Sequence, residues 1–328
     1  MFGSSTWART RDLRINSPAL YRLSYRGISR YYSKMRSLLP TSVQIPKVLT
    51  IAGSDSGGGA GLQADLKVIT ALGAYGLSVI TAITAQNTLG VTRIQDVDLD
   101  VIEAQIDAVL LDIGADVVKI GMLASPEIVR TVAKSLRRHG IKRIILDPVL
   151  RATSGASLGG DDTAQAMITE LFPMATLITP NLEEASLLLG REITSPVDYK
   201  LAAQDLLDTG PQAVLIKGGH LDATHTQITD FLMWKSLEDG LEVIQSKEFK
   251  HYRVNSPNTH GTGCSLASAI ATYLAGGHDL SHAVAKAIAY VEAGLEAGRF
   301  LSIGEGPGPL WHMHDFYPTA LLDEKGKY

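Results

Sequence analysis

The chain has 328 residues, 45% of them hydrophobic, with 31 glycines and a formal net charge of -4, enough apolar material for one large globular domain or two small ones. Its single cysteine excludes an intrachain disulfide and any cysteine cluster for zinc or iron–sulfur. The mild acidity argues against a nucleic-acid partner, and no uncharged apolar run is long enough to suggest a membrane span.

The charge is unevenly placed. Residues 1–48 carry Arg9, Arg11, Arg14, Arg22, Arg26, Arg30, Lys34, Arg36 and Lys47 against Asp12 alone, among many serines and several tyrosines. An arginine-rich, serine-rich and acid-poor leader resembles an organellar transit peptide and lacks the apolar core of a secretory signal. The alternative is a disordered basic tail. Residues 1–46 are set apart as this leader, 47–318 as the folded domain and 319–328 as a C-terminal tail. The expected compartment is the cytoplasm, with the mitochondrion or plastid as the alternative that the leader suggests.

Val48 to Ala52 reads as a short buried strand, followed at once by the loop Gly53-Ser54-Asp55-Ser56-Gly57-Gly58-Gly59-Ala60-Gly61 and by helical spacing from Leu62 to Leu72. A strand, a glycine loop and a helix make a ligand-binding βα unit. The glycines are packed too closely for a dinucleotide fingerprint, and no lysine follows as in a P-loop. Asp55 binds a substrate hydroxyl or caps the loop; Asp65 reaches an amine or faces solvent.

Tyr75 to Ala85 is a second strand, closed by Gln86-Asn87-Thr88. An amide at the end of a buried strand can donate and accept toward a heteroaromatic ring nitrogen and its amino group, or it can cap a turn. A lid is expected near Thr88 to Val97. Leu99 to Leu111 is helical, and Asp116 to Leu123 gives a strand and a tight turn in which Met122 is a soft wall for a flat ligand or plain core. Ser125 to His139 is a helix with Pro126 in its first turn, and Ile141 to Leu146 is a strand ending in Asp147-Pro148-Val149. After a glycine-rich loop at 155–160, Thr163 to Leu171 is helical. Strand Ala175 to Thr179 ends in Pro180-Asn181-Leu182-Glu183-Glu184, which opens another helix. Val214 to Ile216 repeats the device with Lys217-Gly218-Gly219-His220, and Thr226 to Val254 predicts a pair of antiparallel edge strands around an acidic turn.

Next, Asn258-Thr259-His260-Gly261-Thr262-Gly263-Cys264 leads without a break into a small-residue helix from Ser265 to Leu274. Backbone N–H groups converging at a helix N-terminus, with the macrodipole behind them, make a phosphate or oxyanion cradle. Cys264 stands at its mouth, where the same field is expected to depress the thiol pKa and make it a base or nucleophile. The plainer alternative is a glycine turn before a core helix with a buried cysteine. A last alanine-rich helix spans Leu280 to Gly298, and Gly304 to Pro309 is expected to end the ordered core. Polar residues thus recur at the carboxyl ends of predicted parallel strands, the edge where open α/β sheets bind ligands. The order of elements predicts a three-layer α/β/α domain with a mostly parallel central sheet.

Ala52 through Lys67, Val79 through Thr88, Lys119-Ile120-Gly121-Met122-Leu123, Thr179-Pro180-Asn181, Lys217-Gly218-Gly219-His220 and Asn258 through Cys264 together resemble the hydroxymethylpyrimidine/phosphomethylpyrimidine kinases of thiamine biosynthesis, in the ribokinase-like superfamily. The resemblance runs from about Val48 to Phe316, with the motifs in the family's order. It implies a ribokinase-like fold, ATP and Mg2+, and transfer of the γ-phosphoryl group first to 4-amino-5-hydroxymethyl-2-methylpyrimidine and then to its monophosphate. By position in these motifs the resemblance would put Gln86 on the aminopyrimidine, with Met122, Ala60, Gly53, Asp55 and Asp65 around the substrate. It would put Gly261, Thr262, Gly263 and Cys264 at the transferring phosphoryl, Cys264 standing where most of the superfamily has an aspartate base. Lys217, Asn181, Thr259 and Gly263 would hold the nucleotide, and Glu184, Asp147 and Asn181 would organise magnesium. The partners so implied are the two small-molecule acceptors and a second copy of the chain in a homodimer, with no nucleic acid and no membrane. A Cys264 thiolate would take the acceptor's hydroxyl proton late, and the second nucleophile is already an ionised phosphate, so losing Cys264 is expected to harm the first phosphorylation more than the second. One departure is Arg151, where the family is usually hydrophobic, expected here to face solvent. Pyridoxal/pyridoxine kinase of the same superfamily and a non-catalytic ligand-binding relative are the alternatives.

Overall fold

Neighbouring strand residues point to opposite faces of one sheet and both faces are apolar, which is why the central strands read as continuous hydrophobic runs. Leu49, Val118, Ile144 and Val214 belong to one core, whereas Val48, Val117, Ile145 and Leu215 belong to the other. The computed structural model describes residues 44–150, 160–193, 196–219 and 226–316. Most of the leader, Arg151, the loop at 155–159, His220 and the tail at 319–328 lie outside them.

In chain order the elements are β1 (Lys47–Asp55), α1 (Gly61–Ala71), β2 (Tyr75–Asn87), β3 (Gly90–Asp96), α2 (Leu99–Asp112), β4 (Val117–Ile120), α3 (Pro126–Arg138), β5 (Ile144–Leu146), α4 (Asp161–Ala166), β6 (Leu177–Ile178), α5 (Leu182–Leu189), α6 (Pro196–Asp208), β7 (Ala213–Ile216), β8 (Gln227–Glu238), β9 (Leu241–Tyr252), α7 (Thr262–Ala275) and α8 (Leu280–Gly298). They build a nine-stranded sheet of order β3-β2-β1-β4-β5-β6-β7-β8-β9. The six strands from β2 to β7 in that order are parallel, while β3 pairs antiparallel with β2 at one edge and, at the other, β8 pairs antiparallel with β7 and β9 with β8. Helices α2 to α6 cover one face around Ile102, Ile106, Ile128, Val132, Leu182 and Leu206. Helices α1, α7 and α8 cover the other around Val68, Ile270, Ala287 and Val291. The three-layer α/β/α domain expected from the sequence is the one observed.

The sheet also fixes where a ligand goes. β1 has β2 on one side and β4 on the other, so the carboxyl ends of β1 and β4 flank a topological switch point. Two register slips lie beside it, one between Ala52 and Ser54 and one between Ala85 and Gln86; bulges of this kind re-aim side chains near active sites.

Local chemistry sets the helix starts. Ser125 accepts the Ile128 N–H at 3.3 Å ahead of Pro126, and Asn181 with Glu184 forms a reciprocal capping box at α5. Four elements differ from expectation. The segment expected as a lid is β3, an edge strand of the same sheet. The helix expected over 163–171 is α-helical only to Ala166 and then widens to a π turn at Met167–Leu171 and a 3-10 turn at Phe172–Met174, ahead of and across Pro173. Helix α6 was not anticipated, although Tyr199, Ala202, Ala203 and Leu206 have helical spacing and are buried. Finally, order continues past Pro309, with Leu310 and His312 buried.

Candidate active site

The carboxyl ends of β5, β6 and β7 bring one lysine and two carboxylates together. Lys217 Nζ lies 2.9 Å from Asp147 Oδ1 and 3.8 Å from Glu184 Oε2, and Thr179 donates to the same Asp147 oxygen at 2.9 Å. A β-bridge between Asn181 and Lys217 holds the two strand ends in line. Burial alone would lower the Lys217 ammonium, but Asp147 and Glu184 outweigh it and hold it above an ordinary lysine. Burial would likewise raise Asp147, yet Lys217, then Lys119, hold it below the usual range. Glu184 goes the other way: desolvation pushes it up to about 7 against the pull of Lys217, with Asp147 adding to the rise. Among the described residues Asp147 Oδ2 and Glu184 Oε1 accept no hydrogen bond. Two carboxylates with an oxygen each to spare, beside a site for phosphates, fit Mg2+, which keeps most of its waters and takes one or two protein carboxylates.

Opposite these groups stands the N-terminus of α7. Gly261 is left-handed at φ 80°, and a Cβ there would come within 1.9 Å of the Gly59 carbonyl oxygen; only glycine lets the two loops touch. Thr262 donates its hydroxyl to Thr259 O at 2.6 Å, tightening the turn. The Gly263 and Cys264 N–H groups fall in the first turn, where no intrahelical acceptor exists. A Cβ on Gly263 would sit 3.4 Å from Lys217 Nζ, so the lysine amine is aimed at this helix end. Asn258 anchors the turn, donating to Gly298 O and Leu301 O at 2.7 and 2.8 Å and accepting from Gly308 N at 3.0 Å.

Cys264 corrects one expectation. Its thiol is not depressed: desolvation pushes it up to about 11, Lys119 pulls down, and the carboxylates of Asp65 and Asp147 add to the rise. The Gly61 N–H also favours the thiolate but is the weaker influence. Cys264 is therefore a thiol in the free protein.

The substrate end lies at the switch point. Met122 packs over Gly53, where a Cβ would meet its methyl carbon at 2.5 Å, and both sit beside the bulge in β1. Gln86 projects from the bulge in β2 with its amide nitrogen 3.3 Å from His260 Nε2 and its amide oxygen 3.2 Å from Thr84 Oγ1. Ser56 clasps the Gln86 backbone at both N and O, at 2.9 and 2.7 Å. Asp55 caps the loop rather than meeting a substrate hydroxyl: Oδ1 accepts from Gly57 N at 2.8 Å, and Oδ2 from Gly59 N, Ala60 N and His260 Nε2 at 3.0, 2.8 and 3.1 Å. Burial opposes ionisation of Asp55, but His260 and these amides hold its carboxyl below the usual range. Ala60, as N-cap of α1, stays partly exposed to the cleft, and Thr259 is exposed at its rim.

Asp65 is the second correction. It neither faces solvent nor meets the cleft, being fully buried with Lys119 Nζ at 2.8 Å from each oxygen and with Thr50 and Ser268 donating at 2.6 and 2.7 Å. The amine it reaches belongs to the protein. Ser268 follows Cys264 by one helical turn, so this buried cluster props α7 from beneath. Sequence reasoning did not assign Lys119, Thr84 or His260 a role at the site. The signal for Lys119 was a lone charge inside the apolar run Val117-Val118-Lys119-Ile120.

Comparison with known proteins bears on this geometry. A family profile described as phosphomethylpyrimidine kinase matches residues 55–311. The chain is 47% identical over 270 residues to a hydroxymethylpyrimidine/phosphomethylpyrimidine kinase of Rhizobium meliloti, covering 82% of this chain and 97% of that protein. Among solved structures, a phosphomethylpyrimidine kinase of Clostridium difficile matches with 41% identity and a TM-score of 0.64, covering 75% of this chain and 97% of that one. A pyridoxal kinase of Staphylococcus aureus matches with 33% identity and a TM-score of 0.74, covering 84% and 96%.

Proposed function

The chain belongs to the phosphomethylpyrimidine kinase family, and on that premise we propose which of its residues carry the reaction. Its activity is ATP-dependent phosphorylation of 4-amino-5-hydroxymethyl-2-methylpyrimidine, and then of the monophosphate to the diphosphate. The observation that carries the assignment of roles is the aim of Lys217 Nζ at the open N-terminus of α7, across a cleft whose far wall is Gln86 and Met122.

Phosphoryl transfer passes through a loose transition state whose charge lies on the equatorial oxygens, so positioning and electrostatic stabilisation dominate. The Gly263 and Cys264 N–H groups and the Lys217 ammonium receive the transferring group from two sides. Asp147 and Glu184, with Asn181 fixing the Glu184 helix end, would hold Mg2+. When bound, that ion neutralises phosphate oxygens and fixes their orientation. Gln86 reads the aminopyrimidine edge, Met122 covers the ring face, and the Asp55-capped loop with Gly53 and Ala60 closes around it. Cys264 contributes its backbone N–H and a neutral thiol beside the acceptor. Exposed Ile83 on β2, Leu89 in the β2–β3 turn and Ile94 on β3 support a homodimer through this edge, which sedimentation of the purified protein would test. The compartment proposed is the cytoplasm, with an organelle as the alternative, to be read by fusing residues 1–46 to a reporter.

The test of function is mass-resolved product formation with ATP and Mg2+, offering the pyrimidine alcohol, its monophosphate and pyridoxal in turn. Diphosphate from the monophosphate is expected. Activity on pyridoxal alone would move the protein to the other vitamin kinase.

A further inference from the structure

His260 lies at the substrate end of the cleft, beside Asp55 and Gln86, and has been given no role of its own above. Its Nε2 faces two partners at once, Asp55 Oδ2 at 3.1 Å and the Gln86 side-chain amide at 3.3 Å. Its ring also fills the space beside Gly59, where a Cβ would lie 2.6 Å from its Cδ2. One residue later the chain becomes the glycine turn of α7.

We propose that His260 is a positioning residue that fixes the polarity of the Gln86 amide, and so selects an acceptor whose ring edge presents an amino donor beside a nitrogen acceptor. This rests on the reading of Gln86 as the aminopyrimidine contact. Asp55 accepts from three backbone amides and is held ionised, so it can only accept from the imidazole. His260 Nε2 must therefore carry the proton. A protonated Nε2 cannot also accept from Gln86 Nε2, and two donors would face each other. Thr84 raises the same difficulty at the other end of the amide. Its one hydroxyl proton goes to Ser54 O at 2.8 Å, leaving Thr84 Oγ1, 3.2 Å from the Gln86 oxygen, to act as an acceptor. Turning the Gln86 amide over by half a rotation resolves both conflicts, since the two ends of the amide are alike in shape and the hydrogen-bond network decides between them.

The chain of donors then runs one way. His260 Nε2–H serves Asp55 and Gln86 Oε1, Gln86 Nε2–H serves Thr84, and Thr84 serves Ser54. What Gln86 has left is one acceptor lone pair on the His260 side and one N–H on the Thr84 side. An exocyclic amine and an adjacent ring nitrogen meet that pair in register. In pyridoxal the methyl-bearing carbon separates the hydroxyl carbon from the ring nitrogen, so a lone hydroxyl, able to donate or accept, meets the amide without the adjacent second partner. Because Asp55 also ties down the Gly57–Ala60 amides, the loop that closes on the substrate and the amide that reads it are set by the same imidazole.

The experiment compares wild type, His260→Ala, His260→Gln, Gln86→Ala and the double variant His260→Ala/Gln86→Ala in turnover of the pyrimidine alcohol and of pyridoxal, together with 15N–1H NMR of the imidazole in the ligand-free protein. Expected is an Nε2–H tautomer. Also expected is a KM for the pyrimidine raised roughly tenfold in His260→Ala, the size of one lost hydrogen-bond preference, exceeding any fall in kcat. Discrimination against pyridoxal should shrink by the same factor, His260→Gln should recover part of it, and removing His260 should cost nothing further in the Gln86→Ala background. An Nδ1–H tautomer, equal losses on both acceptors, or additive effects in the double variant would overturn the proposal. A wild type inactive on the pyrimidine would instead overturn the functional reading, and the tautomer would still decide the polarity of the network.

Discussion

Two lysine–aspartate pairs end up in this molecule under different circumstances, although each lysine lies at the end of an apolar strand and shortly before a glycine. Lys119 and Asp65 are both completely inaccessible, and Thr50 and Ser268 complete the carboxylate. Lys217 and Asp147 are joined at a similar distance, but the lysine keeps 13% of its side chain open to the cleft and Asp147 retains an oxygen. A closed pair serves to hold the layers together, whereas a pair with capacity to spare can bind something. The same chemistry is structural in one place and functional in the other, and satisfaction of the last lone pair is what separates them.

The comparison can be broken by removing one partner at a time. Lys119→Met should cost about 3–5 kcal/mol in urea unfolding, because it strands a buried carboxylate, and Asp65→Leu added to it should restore much of the loss. Lys217→Met should lower kcat by about 10²–10³, the scale of a lost transition-state donor, with a smaller stability loss than Lys119→Met. Equal stability losses for the two lysines would erase the distinction drawn here.

A third buried group sharpens it. Among the described residues His312 has no countercharge; burial, followed by repulsion from Lys67 and His314, lowers it to about 4, and it stays neutral beside Ser265 Oγ at 3.0 Å. The unfolded chain takes up that proton near the ordinary value of about 6.5 and the folded protein does not. Stability should therefore fall by about 2 kcal/mol between pH 7 and pH 5 on this account, a loss that His312→Gln should remove from thermal or urea unfolding curves. The smallest effect concerns Cys264. A base role would make Cys264→Ala slow the first phosphorylation selectively. With the thiol held up near 11, the expectation from the structure is instead a similar loss in both steps, of about threefold or less, well below the usual range for a general base. Rate constants for the two steps measured separately decide it, and a selective loss in the first would reinstate the thiolate.

The sheet was legible because strands buried on both faces leave uninterrupted apolar runs, and the cleft was legible because polar residues punctuate their ends. Lys217, Asp147 and Gln86 could be picked out by that position alone. Asp65 was misjudged because an acid inside a helix ordinarily meets water, and the lysine that buries it lies 54 residues on. His260 was passed over for a similar reason: Asp55 and Gln86 are 205 and 174 residues away in the chain. Strand β3 left little trace, since its residues are mostly exposed and it has no buried face to create alternation. For Cys264 the rule of the helix terminus was applied correctly and was outweighed by desolvation, which no local pattern reports.

The touching glycines, Gly59 and Gly261, have a consequence for how the enzyme comes into being. Synthesis delivers the parallel strands first, and they can associate through local βα contacts well before residue 261 has left the ribosome. Until Gly261 seats on the Gly59 carbonyl and Asn258 is fastened by Gly298, Leu301 and Gly308, the glycine loop of β1 has no opposing wall and the anion cradle does not exist. A chain cut short after β9 would therefore lack the anion cradle and, with α7 and α8 gone, most of the apolar cover of one sheet face, so the last helices complete the core and the site in one step.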